Sequence, residues 1–214
     1  MKNLKTIIIL LFTYLGYSQD FEGKIEYQIT YFDKNNVEVN IPKVNQLMGE
    51  KSTFITKKGK YKQITNSDFM SFQLYSSNEK KLYIKNNWNQ KESDTLFYLD
   101  PSKLENVSFK YEITKNAATI LGYLCDKLTV KDTLNIIREE YFYSPDLKLN
   151  PKYFKDFSAF NKNKITDLMK AVFLKLSYYY PEFTLSMTAI DIKKIKISDS
   201  EFSLPPHEAF IEYQ

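Results

Sequence analysis

From Ile25 to Tyr31 the chain alternates without a break. Ile25, Tyr27, Ile29 and Tyr31 lie on one side, and Lys24, Glu26, Gln28 and Thr30 on the other. A period of two over this length predicts a half-buried strand. Asp33-Lys-Asn-Asn36 closes it with turn formers. Residues 42–49 break the rhythm. Pro42, the spacing of Val44, Leu47 and Met48, and Gly49 at the end predict a short helix or an irregular crossover. Short alternating runs then return at 52–57 and 60–65, joined through Lys58-Gly59 as a hairpin, and again at 69–76, 81–86 and 94–99. Polar turn segments part them, and Trp88 sits in one of these loops.

The second half repeats the pattern with longer strands. Val107, Phe109, Tyr111 and Ile113 alternate against Ser108, Lys110, Glu112 and Thr114. The run from Ile120 to Val130 has apolar residues on both faces, so it reads as a central strand covered on both sides, with Gly122 as a bend where it enters a curved sheet. Residues 133–143 form another strand, which Ser144-Pro145 should end, because proline cannot donate to a ladder. Residues 146–163 lack strand pattern. Phe154, Phe157 and Phe160 at three-residue spacing predict one short amphipathic helix there, with a further turn at 166–170. Residues 171–180 and 183–198 read as a final antiparallel pair around Pro181-Glu182, and Phe202-Ser-Leu-Pro-Pro206 closes the domain. Many short strands between regular turn signals define a mainly β fold.

The first residues stand outside that pattern. Met1-Lys-Asn-Leu-Lys5 is basic, Ile7–Leu15 is apolar apart from Thr13, and Gly16-Tyr17-Ser18 supplies small residues before Gln19. This is the layout of a cleavable secretory signal peptide over residues 1–18, and its apolar run is shorter than the roughly 20 residues that span a bilayer. The expectation is a single β-rich domain over 19–214, with no integral membrane segment after cleavage, in the periplasm or secreted. No cysteine follows the apolar run, which argues against a lipoprotein. Losing Lys2 and Lys5 lowers the formal charge from +4 to +2. That is too little to expect a nucleic-acid partner, whose binding depends on a basic surface that displaces counterions.

Candidate chemistry is sparse. His207 is the sole histidine and Cys125 the sole cysteine, so they cannot supply a zinc site, and a Cys125–His207 dyad would need a coincidence of folding. Cys125 reads as a small buried hydrophobe. Asp20/Glu22, Glu139/Glu140 and Asp199/Glu201 are the carboxylate pairs available for acid–base work, but strand alternation or loop placement accounts for each. Gly49, Gly59 and Gly122 are isolated, which excludes a glycine-rich phosphate loop. No catalytic set, metal ligands or cofactor is expected, and ligand-binding residues are not assignable at this level. The aromatics, 17 Tyr and 16 Phe, are the one hint: Tyr141-Phe-Tyr143 and Tyr178-Tyr-Tyr180 put rings on both strand faces, either to fill a core or to line an apolar cavity.

Ile120-Leu-Gly-Tyr-Leu-Cys125, the later Tyr141-Phe-Tyr-Ser-Pro-Asp-Leu147, the opening Phe21-Glu-Gly-Lys-Ile-Glu-Tyr27 and the closing Phe202-Ser-Leu-Pro205 together resemble the GLPGLI family of exported Bacteroidota proteins and a related domain of unknown function. The namesake hexapeptide is missing; Met169-Lys-Ala-Val-Phe-Leu174 stands about where it would fall. The resemblance implies a single strongly curved antiparallel sheet, a half-barrel like that of the lipoprotein carrier LolA, with one or two short helices, in the cell envelope. It implies no catalytic residues. The resulting expectation is a non-enzymatic envelope protein binding an apolar ligand, lipid or acyl chain in the concave face of its sheet. The alternatives are an interaction module that pairs its sheet edge with an envelope protein partner and a carboxylate-only enzyme.

Overall fold

A computed structural model describes residues 20–213; the expected signal peptide lies outside them. The chain forms β1 (Gly23–Phe32), α1 (Pro42–Met48), β2 (Lys51–Lys57), β3 (Lys60–Thr65), β4 (Phe72–Ser76), β5 (Lys81–Lys85), α2 (Gln90–Ser93) and β6 (Thr95–Leu99). It continues through β7 (Lys110–Ile120), β8 (Tyr123–Lys131), β9 (Ile137–Lys148), α3 (Lys162–Met169), β10 (Ala171–Tyr179), β11 (Thr184–Lys194) and β12 (Ala209–Glu212). All strands join one open, curled sheet in the order β12-β6-β5-β4-β3-β2-β1-β11-β10-β9-β8-β7. The mainly β class expected from the alternation is the one observed.

β1 is the seam of this sheet. It pairs with β2 on one side and with β11 on the other, and so joins an early meander to a late one. Its alternation is realised residue by residue: Ile25, Tyr27, Ile29 and Tyr31 are all buried. The register slips where Glu26 and Tyr27 face Asp191 and Ala189, and further slips fall between β7 and β8, β8 and β9, and β9 and β10. The pairs from β2 to β5 keep regular register. Extra residues bend a strand and increase its twist, so the bending devices cluster in one half of the sheet.

Several local expectations are corrected. Pro145 does not end its strand; β9 runs on to Lys148 by bulging, with Tyr143 opposite Phe173 and Lys148 opposite Ala171. A bulge is one of the few places where a sheet tolerates a residue without a donor. Gly122 is not a bend within a central strand. Leu121 (φ 48°) and Gly122 (φ 81°) are the tight turn of the β7–β8 hairpin, and β8 lies second from the sheet edge. Both central residues of such a turn need positive φ, which suits the right-handed twist of the strands. Beyond Pro206, where no strand is expected, β12 adds to the edge in parallel with β6.

Two segments cover the sheet's two faces. Ile197 and Phe202 pack on Ile55, Phe72, Leu74, Tyr83 and Leu96 on the convex side. The residues between β9 and β10 lie on the concave side, over the main core.

Candidate functional site: the covered concave face

The cover is the excursion from Leu149 to Lys170, and its two ends meet. The Leu149 N–H donates to the Lys170 carbonyl (2.9 Å), just beyond the Lys148–Ala171 pair that joins β9 to β10. The phenylalanine spacing predicts a single helix, but the cover is a 3-10 turn at Pro151–Phe154, a second turn at Ala159–Asn161, and then α3. Phe160 (φ 55°) and Asn161 (φ 53°) are left-handed and break any continuous helix. This turns Phe160 out to solvent (70% exposed), while Phe154 and Phe157 stay buried.

The floor beneath is aromatic. Phe157 lies over Tyr61 (6.3 Å between centroids, 9° between planes) and Tyr75 (4.7 Å), and Phe154 stacks on Tyr75 (5.5 Å). Phe54, Phe173, Tyr27 and Tyr141 continue the layer. Tyr27 extends across Ala189, the residue opposite it in β11, and donates from its hydroxyl to the Phe173 carbonyl (2.7 Å). The register slips around Phe173 on the β9 side. Ile165 and Met169 of α3 complete the packing.

Polar clamps hold the cover's rim. Asn161 accepts from the Val107 N–H (2.7 Å) and donates to the Val107 carbonyl (2.6 Å) and the Tyr111 hydroxyl (2.8 Å). Ser158 donates to the Pro101 carbonyl (2.8 Å), Tyr75 donates to the Tyr153 carbonyl (3.2 Å), and Lys80 pairs with Asp156 (3.1 Å). Beside Asn161 the surface opens into a cleft of about 500 Å³ between residues 106–111 and 151–167, with Phe109 and Tyr111 at its wall and Lys152, Lys155, Lys164 and Asp167 around it.

Under α3 a much smaller cavity remains, about 10 Å³, lined by Phe54, Tyr61, Phe154, Met169 and Phe173 and by two polar side chains, Lys162 and Thr166. The Lys162 ammonium lies near the faces of Phe173 (5.8 Å) and Tyr61 (6.0 Å). Burial lowers its pKa to about 8, and the Glu139 carboxylate opposes that shift. Glu139 on β9 faces the same interior. Burial raises its pKa, while the Tyr141 hydroxyl, donating at 2.5 Å, and the charge of Lys162 favour the ionised form. Desolvation pushes Tyr61, Tyr141 and Tyr178 above the ordinary phenol range, and Tyr141 donates its hydroxyl to Glu139.

The carboxylate pairs separate in the fold. Glu139 points into the core, whereas Glu140 binds Lys127 (2.7 Å) and Tyr179 (2.6 Å) from the other side of the strand. Glu22 accepts from the Ile197 N–H (2.7 Å) while burial raises the pKa of Asp20, and Asp199 and Glu201 pair with Lys57 (3.3 Å) and Lys62 (3.4 Å). Cys125 and His207 occupy strands or loops at opposite ends of the sheet order. Cys125 is fully buried, donates weakly to the Tyr123 carbonyl (3.3 Å), and has its thiol pKa raised by burial, which disfavours the reactive thiolate. Cys125→Ala should lower stability by about 1 kcal/mol, the scale of one deleted buried heavy atom, and leave ligand uptake unchanged. Urea unfolding with a parallel uptake assay checks both.

Lys162 and Thr166 carried no sequence signal. Asn161-Lys-Asn-Lys164 reads as a solvated run, and only the left-handed break at Phe160-Asn161 rotates Lys162 inward.

Among the described residues the architecture is thus an open twelve-stranded sheet whose concave face is closed by an excursion of its own chain. Among solved structures it is similar to PNGF-II, with a TM-score of 0.51 and 14% identity over 89% of this chain and 32% of that one. This chain therefore spans about a third of PNGF-II, and the likeness is one of fold. A LolA superfamily protein from Nitrosomonas europaea aligns over 87% of this chain and 91% of its own, with a TM-score of 0.34 and 10% identity. An outer membrane lipoprotein-sorting protein domain from Vibrio parahaemolyticus aligns over 85% and 89%, with a TM-score of 0.32 and 5% identity. No protein-family model matches the chain, and no curated protein matches it in sequence. Among the described residues no helix is long and apolar enough to cross a membrane.

Proposed function

We propose that this is a non-enzymatic, exported envelope protein of the GLPGLI group that binds an apolar ligand between its aromatic sheet and the 149–170 cover. The layout of residues 1–18 and the quoted family motifs support export and the family placement. The observation that carries the binding reading is the cover itself. Its ends are hydrogen-bonded neighbours, its underside is apolar, and rim clamps hold it to the sheet. An element built this way can swing about its neck without unpairing β9 from β10, and swinging bares a contiguous aromatic floor. In the closed form the floor is filled by Phe154, Phe157, Ile165 and Met169, so the ligand takes the place of the protein's own side chains.

Edge pairing with a partner has less support. β7, one free edge, carries Lys110, Glu112 and Lys115 and is bulged between Thr114 and Ala118; charge and bulging are both devices that discourage strand addition. The free edge of β12 is four residues long.

The test uses the purified protein and diphenylhexatriene, an apolar probe that fluoresces when taken out of water. Saturable uptake, together with lipid in extracts of natively purified protein, is expected. A protein that emerges free of lipid and leaves the probe dark sinks the reading.

A further inference from the structure

The cavity under α3 has a chemical demand of its own. Thr166 is 1% exposed, and its hydroxyl has no hydrogen-bond partner. Lys162, one turn earlier on the same helix face, is half-buried and lines the same cavity; among the described residues its ammonium makes no hydrogen bond and no ion pair closer than 4 Å, and Glu139 acts on it only as a longer-range counter-charge. Residues four apart on a helix are neighbours, so two polar groups point together into an otherwise apolar space. Leaving the buried Thr166 hydroxyl unsatisfied is costly, and a helix face built only for packing would place an apolar side chain there.

The type of partner follows from the donors. An ammonium can only donate, so the group that completes Lys162 is an acceptor, and one with negative charge repays the burial of the cation. The Thr166 hydroxyl can donate to a second acceptor alongside it. Two adjacent acceptor oxygens sharing one negative charge describe a carboxylate. Glu139 offsets the Lys162 charge from a distance but is not bonded to it within 4 Å and lies outside the cavity lining, so the acceptor position beside Lys162 and Thr166 is left open. The lysines of the neighbouring open cleft add positive potential on the cover's outer side.

We infer that the ligand is an acyl chain ending in a free carboxylate, with the head group held by Lys162 and Thr166 on α3 and the tail laid along the aromatic floor. This rests on the apolar-ligand reading above and assigns its head-group chemistry. The closed cavity has room for about one water-sized group, so the carboxylate is held with the cover raised far enough to widen the space between α3 and the aromatic floor.

The experiment compares cis-parinaric acid, methyl parinarate and diphenylhexatriene on the full chain and on Lys162→Met and Thr166→Val. The wild type should bind the acid about 10- to 100-fold more tightly than the ester, the ratio corresponding to one charge-assisted hydrogen bond. Lys162→Met should erase that ratio while still binding the ester and diphenylhexatriene. Thr166→Val, which keeps the side-chain shape, should reduce the ratio several-fold, and it serves if Lys162→Met misfolds. Equal binding of acid and ester by the wild type, or a ratio unchanged in both variants, overturns the head-group assignment and leaves the apolar-ligand reading standing. Failure of all three probes to bind overturns the reading on which it rests.

Discussion

Phe157→Ala is expected to open the cover without unfolding the sheet. Phe157 is 2% exposed and fills the space between the rings of Tyr61 and Tyr75. Truncating a buried phenylalanine forfeits its transfer energy and leaves a void, together about 3–5 kcal/mol. The cover is attached through its neck and a few polar clamps, so most of that loss should fall on the cover's own opening equilibrium, a local unit below the global stability. Hydrogen exchange should therefore speed up at the amides of Ile165 and Leu168, while those of β1 and β11 keep their protection. Diphenylhexatriene uptake should become faster, because the closed state competes less well with the ligand. If cover and sheet amides lose protection by the same amount, the cover is part of the global core and the swinging mechanism is wrong.

Gly23→Ala should have the larger effect on the whole fold. A Cβ placed on Gly23 would stand 2.1 Å from the Lys193 carbonyl oxygen and 3.0 Å from the Phe21 ring. The first contact is with backbone, which cannot rotate away, so β1 and β11 must separate at the seam that joins the two meanders. Overpacking of this kind costs about 1–3 kcal/mol even where side chains can move, and here ladder hydrogen bonds would be lost as well. A loss of at least about 3 kcal/mol in urea unfolding is expected, with reduced yield of folded protein. Gly122→Ala is the contrast. Its Cβ would meet nothing within 4 Å, and only the positive φ of 81° opposes it, so about 1 kcal/mol is expected. Gly23 itself has no positive φ, so a loss there no larger than at Gly122 would show that β1 and β11 part at little cost and that the close approach does not govern the position.

Much of the sheet was legible because period-two alternation directly reports which side of a strand is buried. The strict alternation of β1, the β2–β3 hairpin at Lys58-Gly59, α1 between Pro42 and Gly49, and the β10–β11 pair all follow from local pattern and turn chemistry. Local pattern failed where a long-range contact outweighed it. Pro145 should stop a strand, yet pairing with β10 carries β9 past it in a bulge. The phenylalanine spacing predicts one helix, yet left-handed Phe160 and Asn161 break it, with the Asn161 side chain bonded to Val107 and Tyr111 far away in sequence. Glu139 and Glu140 look like a pair in sequence, but adjacent residues in a strand face opposite ways, and only the identity of the covered face shows which of them is buried.

The sequence by itself determined the mainly β class and most of the strands, because these depend on periods a few residues long. Only the tertiary structure decided that β1 would join two meanders, that residues 149–170 would close the concave face, and that Lys162 and Thr166 would meet inside it. Those outcomes depend on contacts between segments far apart along the chain. The residues that carry the proposed site are an ordinary lysine and an ordinary threonine until the turn before α3 fixes which way the helix faces.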